Sequence, residues 1–527
     1  MGSGASTSFE YGKDHEKLVA HAVELDKSQT NRTNIGFARL AQEVALHLLN
    51  ASGLKDKDPK AKLEALEPLY AELAQQWNQP KEEKPGFAII EGVKYAINAV
   101  KFGLIAEDAH VVLSVPFFKE FERGAPASTE NPNGEESPIQ KFEELVFLCG
   151  FNKKVSMHLI FVNDSVAEKV DKDPSSVTLF KEAIAAYSKE KDLGEAVADF
   201  EHFELLDGQL CVSFTSVEAE AAKGSACESP EEKRKRMENR HPETNKLQER
   251  KGGAVLAGME VPLGKGFADK PTRAVRILLD GDSTIAVGSF VGEAAHSILQ
   301  EGNNCYLANM KHPCTCISYQ PPEPGAEAAA DDSATQARVQ NRKLFFSGFT
   351  VPFLFPELST KYKYMGTTQL PAKAFRGDID FCQGKLPTVQ PNVDLGCLAL
   401  TVTTLNAGGG SIQSGPITIR DNVASSTMTT SDLQAEWDKT YGPIFVSAVG
   451  LARELKKAEF EQLPAWCTAF IERMKLKHYT TLFGNEKNED VDALFADMKT
   501  FKGAADPAAV LEKLKGGLKK IFPDDIA

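Results

Sequence analysis

Hydrophobic residues in the first hundred positions recur at the three- and four-residue spacing of helices. The pattern is clearest in "FARLAQEVALHLLNA", "KLEALEPLYAELAQQW" and "GVKYAINAVKFGLI", where charged residues fill the positions between the apolar ones. An apolar stripe with a charged opposite face is typical of a helix that packs on one side. The sequence therefore predicts a helical N-terminal region over residues 1–105.

Beyond residue 105 the pattern changes to short, continuous apolar runs. These are "AHVVLSVPFF" (109–118), "VSMHLIFVNDS" (155–165) and "AVRILLDGD" (274–282), and each leads into polar residues. Helical patterns follow the first and third runs, in "IQKFEELVFLCGF" and "VGEAAHSILQEG". Buried strands that alternate with helices predict an α/β fold with a mostly parallel sheet, which we assign to residues 106–405.

The helical pattern returns from about Leu433, through "LQAEWDKTYGPIFVSAVGLARELKK" to "PAAVLEKLKGGLKKIF". We therefore expect a C-terminal helical region over residues 406–527. The charged segment 228–251 and the polar segment around 320–340 interrupt the middle of the chain, and both are predicted to be solvated.

Composition excludes some classes of protein. The net charge of −14 is spread along the chain, which argues against a general nucleic-acid binder. Nine cysteines at irregular spacing are typical of reduced thiols, and we expect a cytoplasmic protein. The apolar segment 344–356 is shorter than the roughly 18–20 residues that span a bilayer. We assign it to the core, with peripheral contact to a membrane as the alternative.

The opening "MGSGAS" matches the pattern for myristoylation of Gly2. The alternative, which we favour, is a loose or linker-like terminus.

Three predicted strands end on polar groups, in "VPFFKE", "FVNDS" and "LLDGD". Ligands of open α/β sheets bind beyond the carboxyl ends of the strands, so this series indicates a binding site. In "DGD", Asp280 and Asp282 flank a glycine, and two such carboxylates can hold a hard divalent cation. The alternative is that the two aspartates cap the segment that follows them.

Five motifs occur in order between residues 109 and 405: "SVPFFKE", "LIFVNDS", "RKGGAVLAGM", "ILLDGDST" and "TTQLPAKAFRGD". The series resembles the family-2 glycosyltransferases of the GT-A fold. It is most similar to the branch that includes dolichyl-phosphate glucosyltransferases, and "KGGAV" and "DGDST" are its most specific parts. The resemblance implies a Rossmann-like GT-A core between the two helical regions.

The resemblance also implies roles for individual residues. Asp164 would hydrogen-bond the base, with Asn163 in place of a second family aspartate. Asp280 would face the ribose or the metal, and Asp282 would bind a divalent Mg²⁺ or Mn²⁺ that bridges the diphosphate. The other residues that would contact the nucleotide are Ser114, Pro116, Glu120, Lys251, Gly252 and Gly253.

The implied reaction is transfer of a hexose, with inversion, from a nucleotide sugar such as a UDP-hexose. The acceptor, whether a small molecule, a lipid phosphate or a protein, is not specified by the sequence. A hydroxyl acceptor needs a general base, for which Asp394 in "VDLG" is the candidate. A role as a helix-cap aspartate is the alternative, and a phosphate acceptor would need no base.

Two positions depart from the family pattern. Thr367 stands where the family has an aspartate before "T-Q", and Gly396 stands where it has a glutamate. These losses favour an alternative function, a catalytically degenerate glycosyltransferase fold that serves as a scaffold or assembly subunit. A third interpretation is a sugar nucleotidyltransferase, since "GGAVLAGM" is glycine-rich and a lysine-proline pair follows it.

Several further residues are weaker candidates. Asp421 and Ser425 either reach the acceptor pocket or form a turn. Four metal-binding side chains lie downstream of "DGD" and could complete a metal site, although a structural role is the more common one for each: His296, His312, Cys314 and Cys316.

Overall fold

The computed structural model describes residues 34–76, 87–117, 136–163, 174–194, 202–223, 229, 231, 254, 257–259, 261, 273–279, 284–285, 287–309, 316–319, 372–376 and 412–420. All of them belong to one compact unit, formed by residues 1–321, 371–379 and 410–422. This described part is a mixed α/β structure with a mostly parallel central sheet, as the sequence predicted.

Three helices are described in the N-terminal region. Helices α1 (Asn34–Asn50), α2 (Pro59–Gln76) and α3 (Phe87–Gly103) coincide with the three amphipathic patterns. The carboxylate of Asp58 accepts a hydrogen bond from the amide of Ala61 at 2.9 Å and so satisfies a donor of the first turn of α2. The apolar faces of the three helices share one hydrophobic cluster, which includes Val44, Leu66 and Val93.

The sheet is built from ten described strands. They are β1 (Ala109–Phe117), β2 (Val155–Asn163), β3 (His202–Leu205), β4 (Leu210–Ser216), β5 (Ala274–Leu279), β6 (Thr284–Ile285), β7 (Cys305–Asn309), β8 (Cys316–Tyr319), β9 (Ala372–Arg376) and β10 (Ile412–Arg420). Their order across the sheet is β3-β4-β2-β1-β5-β9-β7-β10-β6, and β8 also pairs with β10. The predicted strands are confirmed as β1, β2 and β5.

Four further helices are described. They are α4 (Ser137–Cys149), α5 (Pro174–Lys191), α6 (Val217–Ala222) and α7 (Val291–Leu299), and a 3-10 turn (Val287–Ser289) comes directly before α7. Helices α4 and α7 confirm the helical patterns that follow the first and third apolar runs.

Strand β1 lies at the centre of the parallel part of the sheet. It pairs in parallel with β2 on one side, where Phe117 faces Asn163, and with β5 on the other, where Ser114 faces Leu278. Strand β4 continues the parallel arrangement beyond β2. The carboxyl ends of these four strands therefore lie along one edge of the sheet.

Alternate residues of β1 point to opposite faces of the sheet. Val111, Leu113 and Val115 belong to the large hydrophobic cluster that includes residues of α4, α5 and α7. The intervening positions carry His110, Val112 and Ser114, which are also buried. Because both faces are buried, the strand reads as a continuous apolar run.

Two strands come from late in the sequence. Strand β9 lies antiparallel between β5 and β7, and its residues are those of the "AKAFR" in the last motif of the resemblance. Strand β10 pairs in parallel with β7. Residues 412–420 fall within the region predicted to be helical, 406–527, and their alternation in "IQSGPITIR" is that of a strand.

The N-terminal helices pack directly on the α/β core. A Cβ atom added to Gly288 would lie 2.7 Å from Cδ1 of Tyr95, and one added to Gly292 would lie 2.8 Å from the carbonyl carbon of Asn98. The absence of a side chain at these two glycines lets α3 approach the start of α7 closely.

Candidate functional site

The chain reverses its direction of travel across the sheet at β1. It moves from β1 to β2 and β4 on one side, and then returns to form β5 on the other side of β1. Such a reversal leaves a crevice at the carboxyl ends of the two strands that flank it, where ligands of open α/β sheets bind. The topology thus indicates a crevice next to Phe117 and Leu279.

Polar motifs follow β2 and β5, the two strands that flank β1 in the sheet. Asn163 is the last residue of β2, directly before Asp164, and Leu279 is the last residue of β5, directly before Asp280. Neighbouring strands are about 4.8 Å apart, so the ends of β2 and β5, on either side of β1, are separated by about 10 Å. The structure therefore brings the ends of three distant sequence motifs to one edge of the sheet.

Ser114 lies near this edge, on the face of β1 opposite the large hydrophobic cluster. Its side chain is only 1% exposed, and its hydroxyl has no hydrogen-bond partner among the described residues. Pro116, two residues further along the same strand, is also buried. Of the residues expected to contact the nucleotide, these two are the ones that the structure describes.

The segment that follows "KGG" covers this face of the sheet. Ala254 and Ala257 are fully buried, and Gly258 fits so closely against β1 that an added Cβ would lie 2.7 Å from Cβ of Ser114. The same atom would lie 3.1 Å from Cγ2 of Val162 on β2. The chain immediately after Gly253 therefore contacts both strands whose ends carry polar motifs.

Arg276 fixes the far end of this segment to β5. Its Nη1 atom donates a hydrogen bond to the carbonyl oxygen of Val261 at 2.8 Å, and the residue is 8% exposed. The segment 254–261 thus connects to β1, β2 and β5. Arg276 was not among the candidates from the sequence, because a cation that precedes an apolar run gives no signal of its partner.

The last motif also reaches this edge. Ala372 pairs with Leu279, so the antiparallel strand β9 begins where β5 ends. Thr367 and Gln369 precede Ala372 by a few residues in the sequence. The motif "TTQ" therefore comes shortly before a strand that begins beside the end of β5, which "DGD" follows.

Most of the predicted site residues lie outside the described residues. These are Glu120, Asp164, Lys251, Gly252, Gly253, Asp280, Asp282 and Asp394. The same applies to Gly2, His312, Cys314, Thr367, Gly396, Asp421, Ser425 and the segment 344–356. Their predicted roles stay predictions.

Within the described ranges, no group of three or more His, Cys, Asp or Glu side chains could hold a metal ion. His296, one of the weaker candidates, lies on α7 with Nδ1 3.3 Å from a carboxylate oxygen of Glu301. Burial lowers the pKa of His296, which favours its neutral form. Cys316 begins β8.

A buried polar network at the start of α7 was not predicted from the sequence. Both Lys94 and Lys101 of α3 contact the carboxylate of Glu293, the latter at 3.1 Å. Burial alone would raise the pKa of Glu293, but the two lysines outweigh burial and lower the pKa to about 2. The carboxylate is therefore ionised, and it joins the N-terminal helices to the first turn of α7.

Histidines also occupy the buried face that carries Ser114. His110 contacts Ser156 at 2.8 Å through Nδ1, and His158 contacts Ser213 at 2.7 Å through Nε2. Burial, together with the charge of Arg276, lowers the pKa of His110 to about 4. His110 is thus neutral near pH 7 and belongs to the packing of this face.

Comparison with known proteins gives little further information. No protein-family model and no curated protein matches the sequence. Among solved structures, the chain is similar to a mannosyltransferase from Pyrobaculum calidifontis in complex with GDP-Man and Mn²⁺, with 10% sequence identity and a TM-score of 0.29. The match covers 90% of this chain and 98% of the mannosyltransferase, and its TM-score is too low to identify a fold. Among the described helices, none is long and apolar enough to cross a membrane.

Proposed function

We propose that this protein is a metal-dependent glycosyltransferase that transfers a hexose from a nucleotide sugar, with inversion at the sugar. The donor is a UDP-hexose, and the nucleotide lies in the crevice at the carboxyl ends of β1, β2 and β5. The observation that carries the proposal is the order of the strands at this edge of the sheet. The chain reverses at β1, and "NDS" and "DGD" directly continue the two strands that flank it.

The segment 254–261 gives additional support. Gly258 contacts Ser114 and Val162, and Ala254, which directly follows Gly253 in the sequence, is fully buried. The lysine and the glycine backbone of the preceding "KGG" suit close contact with phosphate groups.

The roles assigned to the remaining residues follow from the resemblance. Asp164 accepts a hydrogen bond from the base, and Glu120 lines the nucleotide pocket. Ser114 and Pro116, which the resemblance assigns to the same pocket, are buried in β1, and Gly258 covers Ser114. Asp394 removes the proton from an acceptor hydroxyl as the new bond forms at the sugar carbon.

The donor set of "DGD" fits Mg²⁺ or Mn²⁺, since both prefer oxygen ligands. Asp280 and Asp282 would hold this ion. When bound, the ion neutralises the negative charge that develops on the diphosphate leaving group.

A scaffold or assembly role is the second candidate, because the carboxylates expected at Thr367 and Gly396 are missing. A sugar nucleotidyltransferase ranks third. We further propose that the protein works in the cytoplasm, with contact to a membrane surface if the acceptor is a lipid phosphate.

Thermal unfolding with and without ligand tests the proposal. The full chain should gain several degrees in midpoint when UDP and Mn²⁺ are present together, because ligands that bind only the native state stabilise it. Asp282→Ala should lose this gain. It should also lose Mn²⁺-dependent release of UDP from a UDP-hexose, a slow hydrolysis that requires no acceptor.

Asp108→Ala is the matched control, since this exposed aspartate precedes β1 at the opposite end of the strand. It should keep both the thermal gain and the hydrolysis. Binding without hydrolysis of any nucleotide sugar would favour the scaffold. The absence of any gain with UDP, GDP, ADP or CDP would exclude the nucleotide site.

A further inference from the structure

We propose that Glu220 is a ligand-binding residue whose carboxylate accepts a hydrogen bond from the nucleoside part of the nucleotide. This inference rests on the proposed function in one respect, the position of the nucleotide at the carboxyl ends of the parallel strands. The contacts that carry it lie in the described part of the chain, around the end of β4.

One oxygen of the Glu220 carboxylate is held by the protein. Glu220 lies on α6, the short helix that directly follows β4, and its side chain is 1% exposed. Its Oε1 atom accepts hydrogen bonds from the hydroxyl of Thr215 at 2.6 Å and from the ammonium group of Lys223 at 2.7 Å. Ser216 caps the helix by accepting a hydrogen bond from the amide of Ala219 at 3.1 Å. The carboxylate is therefore fixed at the end of β4.

The other oxygen is buried and has no partner. Among the described residues, Oε2 of Glu220 is the one carboxylate oxygen that is buried without a hydrogen bond. Nearly all buried polar atoms of native proteins have a hydrogen-bond partner, and a charged group that lacks one is especially costly. Oε2 is thus a site for a hydrogen-bond donor that this part of the chain does not supply.

The carboxylate lies at the edge of the sheet where the nucleotide is proposed to bind. Thr215 pairs with Val162 of β2, and each is the last but one residue of its strand. Phe214 packs against the large hydrophobic cluster, so Thr215 points to the opposite face, on which Gly258 contacts Val162. Glu220 is therefore bound to the strand next to the one that "NDS" follows.

The charge of Glu220 selects the part of the nucleotide that it can contact. A carboxylate accepts hydrogen bonds and repels the diphosphate, whereas the base N–H groups and the ribose hydroxyls are donors. In the proposed function the base lies beside β2 and the diphosphate beside β5, and β4 is on the β2 side of the sheet. The order of the strands therefore brings the nucleoside, rather than the diphosphate, close to Glu220.

The test compares the binding of UDP, in the presence of Mn²⁺, to full-length wild type and to Glu220→Gln by calorimetry. Glutamine keeps an oxygen for Thr215 but can place an amide group, which only donates, where Oε2 lies. We expect the Kd of UDP to rise by about 10- to 100-fold, because a hydrogen bond to a charged acceptor is lost. The thermal midpoint without ligand should stay within about two degrees of wild type, since Lys223 is exposed and its ion pair contributes little.

Glu204 provides a matched control. It is exposed on β3 and pairs with Cys211 near the beginning of β4, at the opposite end of that strand from Thr215. Glu204→Gln makes the same change of charge beside the same strand and should bind UDP with the wild-type Kd. An equal rise in Kd for the two variants would reflect the change of net charge and would overturn a specific contact at Glu220.

Binding of 2′-deoxy-UDP and 3′-deoxy-UDP identifies the donor. If a ribose hydroxyl is the donor, wild type binds one of these analogues about as weakly as Glu220→Gln binds UDP, and the variant shows no further loss with that analogue. If a base N–H group is the donor, Glu220→Gln weakens the binding of UDP and of both analogues by the same factor. Either pattern supports the proposal.

The outcomes also separate this inference from the proposed function. If wild type binds UDP and Glu220→Gln binds it equally well, the role of Glu220 is refuted and the proposed function stands. A variant that loses thermal stability but no affinity would likewise show that Glu220 is structural. If wild type binds GDP, ADP or CDP in place of UDP, the same comparison applies with that nucleotide. A wild type that binds none of the four would refute both proposals.

Discussion

Gly258 packs against β1 at a distance that leaves no space for a methyl group. The nearest atoms belong to Ser114 and Val162, which are held in strands and cannot move independently of the sheet. Protein interiors are close-packed, so an added atom at such a point displaces the backbone or forces neighbouring side chains out of their rotamers. This contact determines where the segment after "KGG" meets the sheet.

Gly258→Ala should therefore lower the free energy of unfolding by about 1–3 kcal/mol, the usual effect of an overpacked core position. Chemical denaturation of the full chain measures this value. The second variant, Ser114→Gly in the Gly258→Ala background, removes the obstructing side chain and should recover part of the loss.

Gly103→Ala is the control for the effect of the methyl group alone. Its added Cβ would lie 3.4 Å from the carbonyl oxygen of Phe151, which is an ordinary contact. Its free energy of unfolding should equal or exceed that of wild type. A Gly258→Ala variant as stable as Gly103→Ala would show that the segment 254–261 is not packed against β1.

Individual contacts of this kind could not be predicted from the sequence. The types of residue at the strand ends could be read directly, because Asn163 and Asp280 stand next to unmistakable apolar runs. The residues that contact Ser114, Arg276 and Asn98 from other elements could not be predicted in this way. They lie elsewhere along the chain, and no local pattern encodes the contacts.

At the scale of elements, α4 joins the sheet to α3 and to the 3-10 turn. Glu144 of α4 is fully buried and accepts hydrogen bonds from Gln140, at 2.8 Å, and from the amide of Gly288. Burial raises the pKa of Glu144 to about 7, although hydrogen bonds from Tyr95, Gln140 and Gly288 partly oppose the rise. The folded protein thus binds a proton at this site more strongly than the unfolded chain does.

This difference predicts a dependence of stability on pH. Between pH 4.5 and about 7 the unfolded chain releases the proton of Glu144 while the folded protein retains it, so stability falls as pH rises. Above pH 7 both states are ionised and the contribution becomes constant. The loss across this window is on the order of a few kcal/mol, since each unit of pKa corresponds to about 1.4 kcal/mol.

Glu144→Gln isolates this contribution, because glutamine is neutral and still offers an acceptor to Gly288. The stability of the variant relative to wild type should increase from pH 4.5 to 7 and stay level above 7, as measured by urea unfolding in a series of buffers. The pKa of His110 is lowered to about 4, so His110 makes the stability rise with pH. This contribution is the same in wild type and variant and cancels in the comparison. A constant difference between the two proteins would mean that Glu144 titrates normally.

The sequence predicted elements better than it predicted their pairing. Helices α1 to α4 and strands β1, β2 and β5 were recognisable because each has an uninterrupted period of its own. The placement of β9 between β5 and β7 could not be recognised, because no local sequence pattern indicates which distant strands pair. The helical pattern predicted for residues 406–527 does not include β10, because the alternation of this strand covers only nine residues.

At the scale of the whole molecule, ion pairs join the N-terminal helices to the α/β core. Arg39 of α1 makes a two-point contact with Glu143 of α4, at 2.8 and 2.5 Å. Lys94 and Lys101 enclose Glu293 of α7. Arg39 is itself exposed, whereas the pairs of Glu293 with the two lysines are largely buried on both sides. A buried pair is costly to break from one side, because the remaining charge stays buried.

Lys94→Met should accordingly reduce the free energy of unfolding, by less than the roughly 3–5 kcal/mol that breaking an isolated buried pair costs, because Lys101 stays in contact with Glu293. The double variant Lys94→Met/Glu293→Gln removes both charges and should recover much of this loss. Unfolding in urea for the two single variants and the double variant gives the coupling energy between the residues. A coupling energy near zero would show that α3 and α7 are not joined through this pair.

The position of β9 in the sheet has a consequence for the synthesis of the protein on the ribosome. Strand β5 ends at Leu279, but its neighbour begins only at Ala372, roughly ninety residues later, which at 5–20 residues per second takes about 5–20 seconds. Until then the backbone groups of one side of β5 and of β7 lack their final partners and can pair with other chains. We therefore expect nascent chains that stall within this interval to be especially prone to aggregation and to depend on chaperones.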